Sequence, residues 1–222
     1  MAIDPHLQGS HAMALHDPGE HFETPEQREH AAHLGMWLFL TSETLLFGAL
    51  FGAYTGYRLW YGAAFHEAAR LNDANLGTLN TAILVTSSFF AAWAVHSSGR
   101  GRDKTAVRCL LVTMVFGLAF LSVKGIEYGG HFTHGIYPGL HYQHAELPGD
   151  GPRMFFTLYY CMTGLHAAHV IAGLAVLGVL AFQRARHRRP APRLVTLELG
   201  VLYWHLVDVV WIFLWPLLYL AG

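Results

Sequence analysis

Charge is the scarcest property of this chain. Asp, Glu, Lys and Arg make up only 13% of its 222 residues, where a soluble domain carries about a quarter. Cysteine is nearly absent: the two present, Cys109 and Cys161, fall near opposite faces of the predicted bundle. A disulfide needs Cα atoms within about 7 Å, so they read as buried small apolar residues. Glycine-rich phosphate loop, Walker lysine, nucleophile elbow and HExxH are all missing, which excludes a self-contained ATPase or hydrolase of those types. No internal repeat is evident. With a net charge of −1, nucleic acid is not an expected partner. Residues 1–33 lack the basic start and apolar core of a cleavable signal.

What is abundant is apolar sequence, 53% of the chain, with a mean hydropathy of +0.31. It comes in blocks near the roughly 20 residues that cross a ~30 Å hydrocarbon layer. The expected spans are 34–58, 75–96, 105–127, 154–182 and 198–221. This predicts an all-α, polytopic membrane protein, a five-helix bundle over 34–222 preceded by an acidic, His-rich, flexible arm over 1–33. "TPEQREHAAH" reads as a helix start running into the first span, with Pro25 at the first helical position. The loop at about 128–153 is the only long one, rich in Gly, His, Tyr and Pro, and suits a contact surface or lid.

Lys and Arg set the orientation. Arg28, the 97–108 loop and the 183–197 loop hold ten basic residues on one side, and Arg58, Arg70, Lys124 and Arg153 make four on the other. The N-terminus is therefore expected inside and the C-terminus outside.

Polar residues inside the spans carry the functional content. Glu43 lies roughly 14 Å into the membrane, counting 1.5 Å per residue from Leu34. Gly48, Gly52 and Gly56 form a doubled small-xxx-small stripe about 180° away on the same helix. The stripe suits close approach of another helix, and Glu43 is expected to look into a second contact or cleft. It is either a protonated acid bonded to a neighbouring helix, or a proton-relay or lipid-headgroup residue. In "WHLVDVVWIFLW", Trp204, Asp208, Trp211 and Trp215 share one stripe, so indole N–H donors are expected to satisfy the carboxylate. His205 points about 100° away. It forms with Asp208 either an acid–base pair or a set of packing anchors. His166 and His169 share a face with Gly173. The HxxH spacing recurs at His131/His134 and His141/His144, which leaves Zn²⁺ or Cu²⁺ in the loop as a possibility. Haem on His166 or His169, with His96 and His205 as facing ligands, is another. Lys124 and Glu127 are spaced for an interfacial ion pair.

Taken together, "LTSETLLFG" with Glu43, "LNTAILVTSS" at 79–88, "KGIEY" at 124–128, "GLHAAHVIAG" at 164–173 and "WHLVDVVWIF" at 204–213 resemble subunit III of haem–copper terminal oxidases. They occur in family order over about 34–221. The resemblance implies a helical bundle beside catalytic subunit I that carries no haem, copper or other metal centre and no catalytic residue. Its attributed role is to stabilise the core, sustain proton uptake by subunit I and hold phospholipid. Expected partners are oxidase subunits I and II, phospholipid and other respiratory complexes, in a bacterial inner membrane. Glu43 matches the family's buried glutamate. Glu43, His166, His169, His205 and Asp208 are the expected lipid- or proton-support residues. Gly48, Gly52, Gly56, Trp204, Trp211 and Trp215 are the expected packing residues. Mitochondrial-type members have seven helices. Five-helix forms occur in bacterial oxidases, including quinol-oxidising ones and relatives associated with nitric oxide reductases. The alternatives are a subunit of such a complex, an ion transporter using Glu43, His205 and Asp208, or a membrane haem or metal protein.

Overall fold

A computed structural model describes residues 24–186 and 194–220. Residues 1–23 of the predicted arm, and Arg188, Arg189 and Arg193, lie outside them. Five helices are long and apolar enough to span a membrane. They are α1 (Pro25–Trp60), α3 (Ala74–Gly99), α4 (Asp103–Thr133), α5 (Asp150–Ala185) and α6 (Leu194–Tyr219). A short helix, α2 (Gly62–Ala69), and a 3₁₀ turn (Gly139–His141) occupy loops on one side. There are no strands among the described residues.

The helix ends follow from local chemistry. Thr24 and Gln27 form a reciprocal capping box, both bonds 3.2 Å, with Pro25 at the first helical position. Residues 25–33 are therefore continuous with the first span. Asp73 caps α3 by accepting from the backbone N–H of Asn75 at 2.8 Å and Leu76 at 3.3 Å. At the far end of α6, two late carbonyls that a helix leaves unpaired are taken by side chains. The Tyr54 hydroxyl donates to Leu217 O at 2.7 Å and the Asn72 amide to Leu218 O at 2.9 Å. Helix α2 was not foreseen. Its Phe65, Ala68 and Ala69 are buried, Phe65 meeting Phe155 edge-on at 5.4 Å.

Lipid is as apolar as leucine, so membrane helices associate by close contact rather than by hydrophobic segregation. The closest contacts surround Trp204. Its fully buried indole projects from α6 into a slot between Gly117 of α4 and Gly173 of α5, and donates to Ser87 Oγ of α3 at 3.1 Å. A Cβ at Gly117 would stand 2.8 Å from the indole, and one at Gly173 also 2.8 Å. Two further aromatic residues of α6, Trp215 and Tyr219, close over Gly77 of α3. One side chain thus joins four helices.

A second knot lies toward the α2 side of the bundle. Lys124 and Glu127 of α4 pair at 3.2 Å. Lys124 Nζ also donates to Tyr159 and Tyr219 hydroxyls, both at 2.8 Å. Those hydroxyls donate to Glu127 Oε1 at 2.6 and 2.5 Å. The pair is buried inside the protein, not interfacial as predicted, because two tyrosines from α5 and α6 replace the water each charge gives up. On the opposite side Arg184 of α5, itself buried, bonds Asp103 at 2.7 Å and the Ser98 hydroxyl, pinning α5 to the α3–α4 turn.

Two outcomes are expected for thermal unfolding of the purified protein in detergent. Gly117→Ala should destabilise by about 1–3 kcal/mol through overpacking, whereas Gly125→Ala, whose Cβ meets nothing within 4 Å, should not destabilise. Glu127→Gln should cost about 3–5 kcal/mol by leaving a buried ammonium unpaired, and Lys124→Met in the same chain should recover part of that loss.

Candidate functional site

Helix α1 touches the bundle along one line, Leu40, Phe47 and Tyr54, seven residues apart and all buried. Glu43 lies beside this line, facing α5. Its Oε2 is 2.8 Å from His169 Nε2, and both side chains are 16% exposed. His169 Nδ1 sits 2.8 Å from Leu165 O, Phe47 covers the ring edge-on at 5.3 Å, and the Tyr203 hydroxyl donates to His169 O at 3.1 Å.

The protonation of this contact follows from its partners. A carbonyl oxygen only accepts, so His169 Nδ1 carries a hydrogen. The second contact then needs one hydrogen between Nε2 and Oε2. With that hydrogen on the acid, the pair is a neutral carboxyl beside a neutral imidazole; on the ring, it is a carboxylate beside an imidazolium. Either way the pair holds one shared proton and no net charge, which is how an acid persists at this depth without the cost of an isolated ion. The partner was not foreseen; in the structure Glu43 and His169 each lie near the middle of a 36-residue helix.

The other predicted polar residues do not join this contact. His166, fully buried, turns into the bundle between Phe120 at 5.5 Å and Trp211 at 5.3 Å, and neither ring nitrogen has a partner among the described residues. His205 Nδ1 meets the Ser88 hydroxyl at 2.6 Å. It lines a groove of about 390 Å³ with Trp37, Leu40, Thr41 and Thr44 of α1 and Leu206 of α6. His205 and Asp208 are not bonded to each other. The expected match between Asp208 and the indoles is not made. Trp204 donates to Ser87 and Trp211 to Thr81, each at 3.1 Å, while Asp208 and Trp215 Nε1 are buried without hydrogen-bond partners among the described residues. Indoles on the carboxylate's own helix point outward across the interface, where hydroxyls of α3 meet them first. A Cβ at Gly48, Gly52 or Gly56 would meet nothing within 4 Å, so this stripe faces away from the other described elements. The glycines whose Cβ would crowd another element include Gly77, Gly117, Gly151, Gly173 and Gly200.

The histidines at the α4–α5 connection serve its backbone. His134 Nδ1 bonds Gly130 O at 2.8 Å and His144 Nδ1 bonds His134 O at 3.0 Å. His131 is buried against Phe156, Tyr159 and Tyr160. His96 lies beside Trp93. No three His, Cys, Asp or Glu side chains converge as a metal site among the described residues.

Residues 18–222 match the family described as cytochrome c oxidase subunit III. The chain is 33% identical over 189 residues to cytochrome c oxidase subunit 3 of Alkalihalophilus pseudofirmus OF4, covering 85% of this chain and 86% of that protein. It is 30% identical over 208 residues to the subunit of the same name from Gadus morhua and 29% to that from Oncorhynchus mykiss. Each covers 91% of this chain and 73% of the fish protein. On this likeness, over an all-helical membrane bundle with its acid paired at mid-depth, the chain belongs to the cytochrome c oxidase subunit III family.

Proposed function

We propose that this chain, as subunit III of a haem–copper oxidase, stabilises subunit I, supports its proton uptake and holds phospholipid, leaving redox chemistry to haem and copper in subunits I and II. The protein is an integral membrane component of an oxidoreductase complex. The names of its relatives favour cytochrome c as electron donor over quinol. A bacterial plasma membrane is its setting, with the N-terminus inside.

The observation that carries this reading is the Glu43–His169 contact. It joins α1 to α5 and keeps one proton in a partly exposed position near the middle of both helices. The groove that His205 lines is bounded by α1 and α6 and is mostly apolar, which suits an acyl chain. The glycine stripe of α1, turned away from the other described elements, suits a helix of a partner subunit packed at short distance.

Glu43→Gln should leave assembly and initial oxygen reduction nearly unchanged, because an amide N–H can donate to His169 Nε2 as a carboxyl does. Glu43→Ala should loosen α1 and shorten the enzyme's working life, read as turnovers completed before inactivation, by severalfold. Loss of initial turnover in the Gln variant would replace the stabilising role with direct proton transfer. Orientation is checked separately: a cysteine replacing exposed Glu146 should react with a membrane-impermeant maleimide added to intact cells, and one replacing Lys104 only after lysis. The reverse pattern would invert the topology.

A further inference from the structure

The turn joining α3 to α4 concentrates positive charge at one membrane surface. Arg100, Arg102, Lys104 and Arg108 are all exposed, and none has an ion-pair partner among the described residues. The one acid in the turn, Asp103, is already occupied by buried Arg184 at 2.7 Å. That bond neutralises a cation of α5 and leaves the four others uncompensated. Gly101, with φ +71°, closes the turn. A depression of about 370 Å³ lies over it, lined by Arg102, Asp103, Lys104 and Thr105. The N-terminus of α4 opens there without a side-chain cap, adding the positive end of its dipole.

The charge continues into an apolar stripe. Lys104, Arg108, Leu111, Val115 and Leu118 share one outward face of α4 at spacings of three and four residues. Leu111 is 51% exposed, Val115 65% and Leu118 55%. From Arg108 to Leu118 this face runs about 15 Å, half the thickness of the hydrocarbon layer. On α3, Val85, Phe89 and Trp93 are exposed in the same way toward Arg100. Cations at the interface above a leaflet-long apolar face have the chemistry of a phospholipid turned inside out: guanidinium and ammonium for phosphate, leucine and valine for acyl chain.

We propose that the α3–α4 turn binds the headgroup of an anionic phospholipid, with a chain laid along the outer face of α4. The site extends the lipid-holding role proposed above but does not share its place. The groove beside His205 has apolar walls and no cation other than a histidine, so it has no preference for headgroup charge.

The test titrates the purified oxidase complex, followed by native mass spectrometry, with phosphatidylglycerol and with phosphatidylcholine. The wild type should bind phosphatidylglycerol more tightly. Lys104→Gln/Arg108→Gln should weaken that binding roughly fivefold per cation removed and leave phosphatidylcholine unaffected. Arg153→Gln, on the opposite side and paired with Asp150, should change neither. The double variant keeps eight of the ten inner-side cations, so its orientation should hold. The charge-conserving Lys104→Arg/Arg108→Lys should retain the preference and guards against a misfolded double variant. Equal affinity for the two lipids in the wild type, or undiminished preference in the double variant, overturns the proposal. Release of subunit III from the complex in the double variant also overturns it, because the cations would then be meeting protein. Loss of phosphatidylcholine binding throughout would instead remove the groove reading and leave this one standing.

Discussion

Everything in this bundle depends on the approach of helices to within a tryptophan's thickness. Water supplies no net force pressing helices together in hydrocarbon, so cohesion has to come from contact area and from polar groups that would be costly to expose to lipid. Trp204 meets both conditions: its flat ring fills the slot left by Gly117 and Gly173, and its N–H ends on Ser87. Four of the five long helices are joined at this point. Seven residues further along α6, Trp211 gathers other polar groups, with His166 at 5.3 Å and Lys124 Nζ at 5.5 Å from its ring.

Polar groups here obey two different solutions. Lys124 and Glu127 are surrounded by tyrosine hydroxyls that serve both charges at once. Glu43 and His169 share a single hydrogen and need no further donor. Both remove net charge from the interior, but only the second leaves its shared proton on partly exposed side chains. That difference is why the pair, rather than the larger network, is the candidate functional site in a subunit III family member.

The spans, their number and the facing of Glu43 were legible in the sequence because hydropathy and helical phase are local properties. The boundaries ran long: α4 continues to Thr133 and α5 begins at Asp150, since helices extend past the apolar window that membrane thickness imposes. Helix α2 was not legible, being short and weakly patterned. The Glu43–His169 partnership needed knowledge of which helices are neighbours, which one sequence does not contain. The Asp208 error has another origin. A stripe on one helix shows which residues share a direction, not which atoms touch, and the indoles found the hydroxyls of α3 before the carboxylate. The glycine stripe on α1 is a related case, because small residues mark where a helix can be approached without saying by whom.

The slender attachment of α1 has a further consequence. Three buried side chains along one edge, a hydrogen shared with α5 and the Tyr54 bond to α6 leave most of its circumference uncommitted. Such a helix resembles a barrel stave held along one edge, and its tilt is set as much by whatever lies outside as by its own bundle. Detaching the subunit from its neighbours would therefore be felt first at mid-depth, where a slight swing of that stave parts the shared proton from one of its two owners.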